Sequence, residues 1–69
     1  MNKIYFKTIN CDDEEREWNL TPVELEEKYW ESEDIPMLDD TVTYCDFGGT
    51  EMYFNTFGDL VFAFLGCID

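Results

Sequence analysis

The sequence has no histidine and few bases. Its 69 residues include four Lys and Arg against 17 Asp and Glu, for a formal net charge of -13 at pH 7. Histidine is the commonest general base and metal ligand, and no serine or cysteine has an identifiable base in the sequence. We therefore expect no catalytic residue, no metal and no cofactor. Because so negative a chain repels phosphates and anionic lipids, we expect its partner to be a basic protein rather than a nucleic acid or a membrane.

Cysteines and long apolar runs are also sparse. Cys11, Cys45 and Cys67 include no Cys-x-x-Cys pair. The cysteine count is odd, and the N-terminal residues do not have the layout of an export signal. Both features are typical of reduced and mostly buried thiols. The longest apolar run, residues 60–65, is far shorter than the roughly 20 residues that cross a bilayer. We expect a cytoplasmic protein, located in the host cytoplasm if a phage encodes it.

Aromatic and apolar residues, by contrast, are plentiful. The chain is 45% hydrophobic and 17% aromatic, whereas disordered segments are poor in both classes. A chain of this size buries only about 60% of its unfolded surface, which suffices for one small core. We therefore expect one acidic α+β domain over residues 1–69.

The negative charge is concentrated in one window, residues 11–40. Thirteen acids stand there against Arg16 and Lys28, so the window carries -11 of the total -13. The flanking segments hold most of the apolar sequence. The acids lack the spacing and the glycine of an EF-hand loop, so the window does not predict a calcium site.

The first half of the chain predicts one strand and one helix. Residues 3–10 alternate in the manner of a half-buried strand. A helix is predicted from Pro22 to about Glu31, because Thr21 and Glu24 form a capping box and Leu20 can pack on Leu25.

That helix has an acidic and an apolar side. Glu24, Glu27 and Glu31 form one stripe, and the apolar side is predicted to hold Val23, Leu25, Tyr29 and Trp30. Glu26 falls within the apolar arc, either at an open rim, the favoured interpretation, or against a partner. We expect Trp30 to lie in the core.

The second half predicts a hairpin and a final element of two alternative kinds. Strands over residues 40–46 and 50–55 flank a turn at Gly48-Gly49. Residues 56–66 predict a helix that Thr56 caps and Gly66 ends; alternatively, Gly58-Asp59 is a turn and residues 60–65 are a fourth strand. The predicted fold is an antiparallel sheet of about three strands with one or two helices, in the order β-α-β-β-α, or a four-stranded sheet with one helix.

The excess charge points to a binding function. A net charge of magnitude about 2 to 8 keeps a small domain soluble, and the larger charge here destabilises the fold by self-repulsion. In size and charge, the chain resembles small phage-encoded inhibitors that imitate nucleic acid, such as anti-CRISPR proteins and inhibitors of uracil-DNA glycosylase. The resemblance implies that acids in the window occupy the basic DNA- or RNA-binding groove of a host defence or repair enzyme. The predicted binding residues are Asp12, Asp13, Glu14, Glu15, Glu17, Glu24, Glu27, Glu31, Glu33 and Asp34.

Two other functions fit the same composition. An antitoxin or immunity protein would neutralise a basic nuclease by the same electrostatics. A structural or assembly protein would instead use an aromatic patch to form a homo-oligomer. The candidate residues of that patch are Trp18, Tyr29, Trp30 and Phe62. We expect either the sheet edge or, as the less favoured alternative, a weak homodimer to cover Phe62.

Overall fold

A computed structural model describes residues 2–31 and 34–66 of the chain. The strands form one antiparallel sheet in the order β2-β1-β3-β4, and two helices complete the fold, which confirms the predicted α+β class. The elements are β1 (Ile4–Ile9), β2 (Glu15–Leu20), α1 (Pro22–Glu31), β3 (Thr41–Phe47), β4 (Thr50–Met52) and α2 (Phe57–Leu65).

β1 is a central strand, and its alternating sequence separates the two faces of the sheet. Ile4, Phe6 and Thr8 are buried on the face that the helices cover, where Phe57 of α2 stacks on Phe6 with ring centroids 5.8 Å apart. We call the opposite face the open face. Its strand residues are Tyr5, Lys7, Ile9, Glu15, Glu17, Asn19, Thr41, Tyr44, Asp46 and Glu51.

The sheet has one strand that the sequence did not predict. β2 pairs along β1 as an edge strand, and only its Trp18 and Leu20 are buried. Its charged sequence lacks the alternation that marks a strand, so pairing with β1 accounts for the conformation. The sheet thus has the four strands of the alternative prediction, but the additional strand is β2 and not residues 60–65.

The C-terminal element is a helix, which confirms the favoured prediction, and the alternative of a turn at Gly58-Asp59 followed by a fourth strand is wrong. The Thr56 hydroxyl accepts a hydrogen bond from the backbone N–H of Asp59 at 3.3 Å, and Gly66 ends the helix with φ 80°. Apolar residues at helical spacing are buried, whereas a strand would bury alternate ones. The buried residues of α2 are Phe57, Leu60 and Val61.

The predicted hairpin of β3 and β4 is confirmed, with two changes. Gly48 and Gly49 form its turn with φ 60° and 86°, values that favour glycine. β4 ends at Met52, three residues before the predicted end. A bulge places one extra residue, Thr43, opposite the Lys7–Thr8 step of β1. Because the bulge breaks the alternation, Tyr44 lies on the open face and not on the side of Val42, as the pattern suggested.

α1 begins as predicted, but part of its apolar side faces away from the core. Thr21 and Glu24 form the capping box, with hydrogen bonds of 2.9 and 3.1 Å. Leu25 is fully buried, whereas Trp30 is 60% exposed. The expectation of a buried Trp30 is wrong because Leu25 and Tyr29 already face the core, and five residues at 100° each turn Trp30 away from Leu25.

Neither described helix has the length and apolar character that a membrane crossing requires.

Candidate partner-binding surface

The predicted binding acids begin in the turn between β1 and β2. Asp12, Asp13 and Glu14 are exposed there. The side chain of Asn10 holds the turn: its Oδ1 accepts hydrogen bonds from the backbone N–H groups of Asp12 and Glu14, at 2.9 and 3.0 Å. Its Nδ2 donates to the Glu14 carboxylate at 3.1 Å. The sequence therefore fixes the backbone of this acidic turn through one asparagine.

β2 presents its acids on the open face. Glu15 and Glu17 pair with Ile9 and Lys7 of β1. The hydroxyl of Tyr5 donates to Glu17 at 2.5 Å, and this hydrogen bond to a carboxylate is the main cause that raises the pKa of Tyr5 to about 12. Glu17 is consequently held in one orientation by its neighbour on β1.

Asp34 is already engaged within the chain. Arg16 donates from Nη1 and Nη2 to the two Asp34 carboxylate oxygens, at 3.1 and 2.6 Å. This pairing lowers the pKa of Asp34 below its usual value. The guanidinium also lies 4.3 Å from the centre of the Trp18 ring. Asp34 therefore ties the segment after α1 to β2, which makes it a weaker candidate for binding a partner.

α1 carries a second group of exposed acids. Glu24, Glu27 and Glu31 are all exposed. The Glu24 carboxylate accepts the backbone N–H of Thr21, which lowers its pKa, so this residue serves the helix start. Glu27 and Glu31 share the outward side of the helix with Trp30, whose ring meets that of Tyr29 edge-on at 5.3 Å. The helix thus combines two carboxylates with an exposed aromatic ring.

The predicted acids do not lie in one plane. Glu15 and Glu17 lie on the open face, whereas α1 packs on the other face of the sheet. The turn at one end of β2 and α1 at its other end give the molecule an acidic side along this edge strand. Glu33, another predicted binding residue, lies outside the described residues.

The open face also holds a group of residues that the sequence did not point to. Tyr44 meets Tyr5 edge-on with ring centroids 5.8 Å apart. Asp46 and Glu51 pair across β3 and β4, and the Tyr53 hydroxyl donates to Glu51 at 2.6 Å. The alternation of residues 50–55 placed Glu51 and Tyr53 on one side. The sequence did not predict that Tyr44 lies on the same face as these two residues, because the bulge in β3 has no sequence signal of its own.

The thiols divide into two environments. Cys45 is buried, and burial raises its pKa to about 11, so it packs as a small apolar side chain. Cys11 is exposed, contrary to expectation, because it lies in the turn between β1 and β2. Cys67 lies outside the described residues.

No group of three or more Cys, Asp or Glu side chains within residues 2–31 and 34–66 is arranged to hold a metal ion.

In comparisons with protein families, curated proteins and solved structures, the chain has no significant match. Its function is therefore inferred from its own geometry and charge.

Proposed function

We propose that this chain is a small acidic inhibitor that imitates nucleic acid, of the anti-CRISPR type. It acts in the cytoplasm and blocks the basic DNA- or RNA-binding groove of a host defence or repair enzyme. The observation that carries the proposal is the exposure of Trp30 beside Glu27 and Glu31 on α1. The carboxylates are complementary to the basic side chains of the groove. The indole adds an apolar contact with the enzyme that a phosphate cannot make.

The spacing of the charges supports this reading. Glu24 and Glu31 are separated by about 10 Å along the helix axis, at 1.5 Å per residue. One strand of duplex DNA carries a charge every 3.4 Å or so, and α1 therefore matches about three phosphates. β2 is about 17 Å long, and it separates α1 at its C-terminal end from the acidic turn at its N-terminal end. Together the two acidic groups extend the charged side well beyond one helix.

Trp30 indicates a protein partner rather than simple solvation. Tryptophan is enriched among the few residues that dominate binding energy at protein interfaces. Its exposed ring, on a helix side that is otherwise acidic, remains in water until a partner covers it. A homodimer is the less favoured way to cover it, because each copy carries a net charge of -13.

The test begins with capture. The immobilised chain is incubated with a bacterial lysate, and bound proteins are eluted with salt, which weakens exposed charge pairs. A captured nucleic-acid enzyme is then titrated with labelled duplex or RNA in the presence of the chain. We expect the nucleic acid and the chain to exclude each other. Simultaneous binding of both to the enzyme would contradict mimicry.

Two double variants with the same charge change locate the contact. Glu27→Gln/Glu31→Gln removes two charges from α1 and leaves the Glu24 cap intact. Asp39→Asn/Asp59→Asn removes two exposed charges elsewhere. We expect the first double variant and Trp30→Ala to weaken inhibition at least about tenfold, since interface hot spots contribute 2 kcal/mol or more. The Asp39/Asp59 variant should inhibit nearly as well as the parent. Equal loss in both double variants would mean that only net charge matters.

A further inference from the structure

A small hollow opens where β4 ends and the chain separates from β3. Its volume is about 90 Å³, and its lining includes Thr43, Tyr44, Glu51 and Tyr53. Pockets for small molecules start at about 300 Å³, so this hollow suits the end of one side chain. Tyr53 is 83% exposed and does not belong to the hydrophobic core.

The hollow combines aromatic rings with a carboxylate. One Glu51 oxygen, Oε1, accepts the hydrogen bond from the Tyr53 hydroxyl, which leaves Oε2 for another donor. Tyr44 also lines the hollow, with its ring against that of Tyr5. An exposed phenol ring beside an exposed carboxylate favours a planar cation, which can stack on the ring while it donates to an oxygen.

The charge of the open face as a whole has the same preference. The strand residues of the open face include four carboxylates, namely Glu15, Glu17, Asp46 and Glu51. Among the described strand residues of that face, Lys7 is the one base. An approaching cationic side chain is therefore attracted, whereas a phosphate or an acidic peptide is repelled.

We propose that the hollow between β3 and β4 binds an arginine side chain of a basic partner protein, stacked on the exposed ring of Tyr53 and hydrogen-bonded to Glu51. Arginine fits better than lysine because its guanidinium is planar and presents several N–H donors in a fixed fork, whereas an ammonium is a compact and strongly hydrated charge.

The inference depends on the proposed function only in taking the partner to be basic. The hollow belongs to the open face, and α1 packs on the opposite face of the sheet. A single partner that contacts both would have to reach around the β2 edge or the β4 edge of the molecule. The hollow is thus a second contact point, separate from the surface of Trp30, Glu27 and Glu31.

The test uses two synthetic peptides of equal length and charge, nona-arginine and nona-lysine, titrated into the isotope-labelled full chain and followed by NMR chemical shifts. We expect nona-arginine to bind about two- to fivefold more tightly, as an exposed cation–π contact would give. Its largest shift changes should centre on Tyr44, Glu51 and Tyr53. Equal affinities, or shift changes centred on α1, would overturn the proposal.

Variants separate ring from charge. Tyr53→Ala should abolish the preference for nona-arginine, whereas Tyr53→Phe, which keeps the ring, should retain most of it. Because Tyr53 is so exposed, neither change should alter the fold, which the unperturbed spectrum checks. Phe62→Ala, which removes an exposed aromatic ring from α2, is the matched control and should leave the preference unchanged. A preference that survives Tyr53→Ala would also overturn the proposal.

The peptide titration contains neither enzyme nor nucleic acid, so its outcome is independent of the competition assay. If the arginine preference is absent but the competition is observed, the arginine site is refuted and the inhibitor function is supported. If the arginine preference is observed without competition, the inhibitor function is refuted and the arginine site is supported.

Discussion

The two helices are nearly equal in length but serve the molecule differently. Within α1, Leu25 is the residue that is fully buried, and the outward side carries acids and Trp30. Within α2, three residues are buried, and Asp59 in the first turn is its one acid. A helix held by a capping box and one apolar anchor can display charge, while its neighbour supplies the core. Changes on α1 should therefore alter binding, and changes in α2 should alter folding.

The largest expected effect is on the core side of this comparison. Leu60→Ala should lower the free energy of unfolding by about 2–5 kcal/mol, because Leu60 is fully buried in α2. Phe62→Ala is the matched control: Phe62 is 63% exposed, so a change within about 0.5 kcal/mol is expected. Urea denaturation followed by circular dichroism measures both. Equal losses would mean that something in solution covers Phe62, as a homodimer would.

The next effect concerns the helix starts. Thr21→Ala and Thr56→Ala each remove a hydroxyl that accepts a backbone N–H, at a cost of about 1 kcal/mol. Because α1 has less burial to hold it, Thr21→Ala should also speed amide exchange across α1 selectively. Thr21→Ser retains the acceptor and serves as the control. Uniform exchange across both helices in Thr21→Ala would contradict the view that α1 depends on its cap.

A smaller effect of opposite sign is expected from the charges of α1. Glu27→Gln/Glu31→Gln removes a like-charge pair at i,i+4, so the free energy of unfolding should rise by about 0.2–0.5 kcal/mol. The same variant should weaken inhibition, which would show that the acids serve binding at the expense of the fold. The melting temperature in low and high salt measures this, and the parent should gain more from salt. A loss of stability in the variant would show that these acids stabilise the helix.

The smallest effects are two pH dependences, of which the first is at Asp34. Arg16 holds the folded-state pKa of Asp34 below its unfolded value of 3.8. The pair therefore stabilises the fold fully only above that value, and the contribution is lost as pH falls through the lowered folded pKa. The melting-temperature difference between the parent and Asp34→Asn should shrink between pH 5 and about pH 2. A difference that stays constant with pH would mean that the pair does not stabilise the fold.

The alkaline limb has the reverse sign. The folded-state pKa of Tyr5 is raised from 10.0 to about 12 by its hydrogen bond to Glu17. This contribution is present below pH 10 and is lost as pH rises towards 12. Tyr5→Phe should therefore lack that step when unfolding is followed from pH 9 to 12.

Local signals in the sequence predicted the elements that local interactions stabilise. The capping box of α1, the Thr56 cap of α2 and the glycine turn each depend on residues within four positions of each other, so spacing alone predicts their hydrogen bonds. The cap at Thr56 and the helical spacing of Phe57, Leu60 and Val61 favoured a helix over a strand at the C-terminus, and the structure confirms the helix.

Long-range pairing set the features that the sequence did not predict. β2 is a strand because β1 pairs with it, and the direction of Trp30 follows from how Leu25 and Tyr29 pack. The bulge at Thr43 depends on the fit of β3 to Lys7 and Thr8. For the binding surface, the sequence predicted which acidic residues are candidates for binding a partner. It did not predict the tyrosine-lined hollow, which depends on that bulge and on where β4 ends.

One buried hydrogen bond selects the alignment of the least strand-like segment. The indole N–H of Trp18 donates to the Thr8 hydroxyl at 3.0 Å within the core. Sliding β2 by one position would turn Glu17 inward, which charge burial forbids. Sliding by two would keep apolar residues inside but leave that N–H without its acceptor, at a cost of about 1–3 kcal/mol. A weak strand thus acquires a single alignment from one donor and one acceptor, and with it a fixed position for every carboxylate that β2 displays.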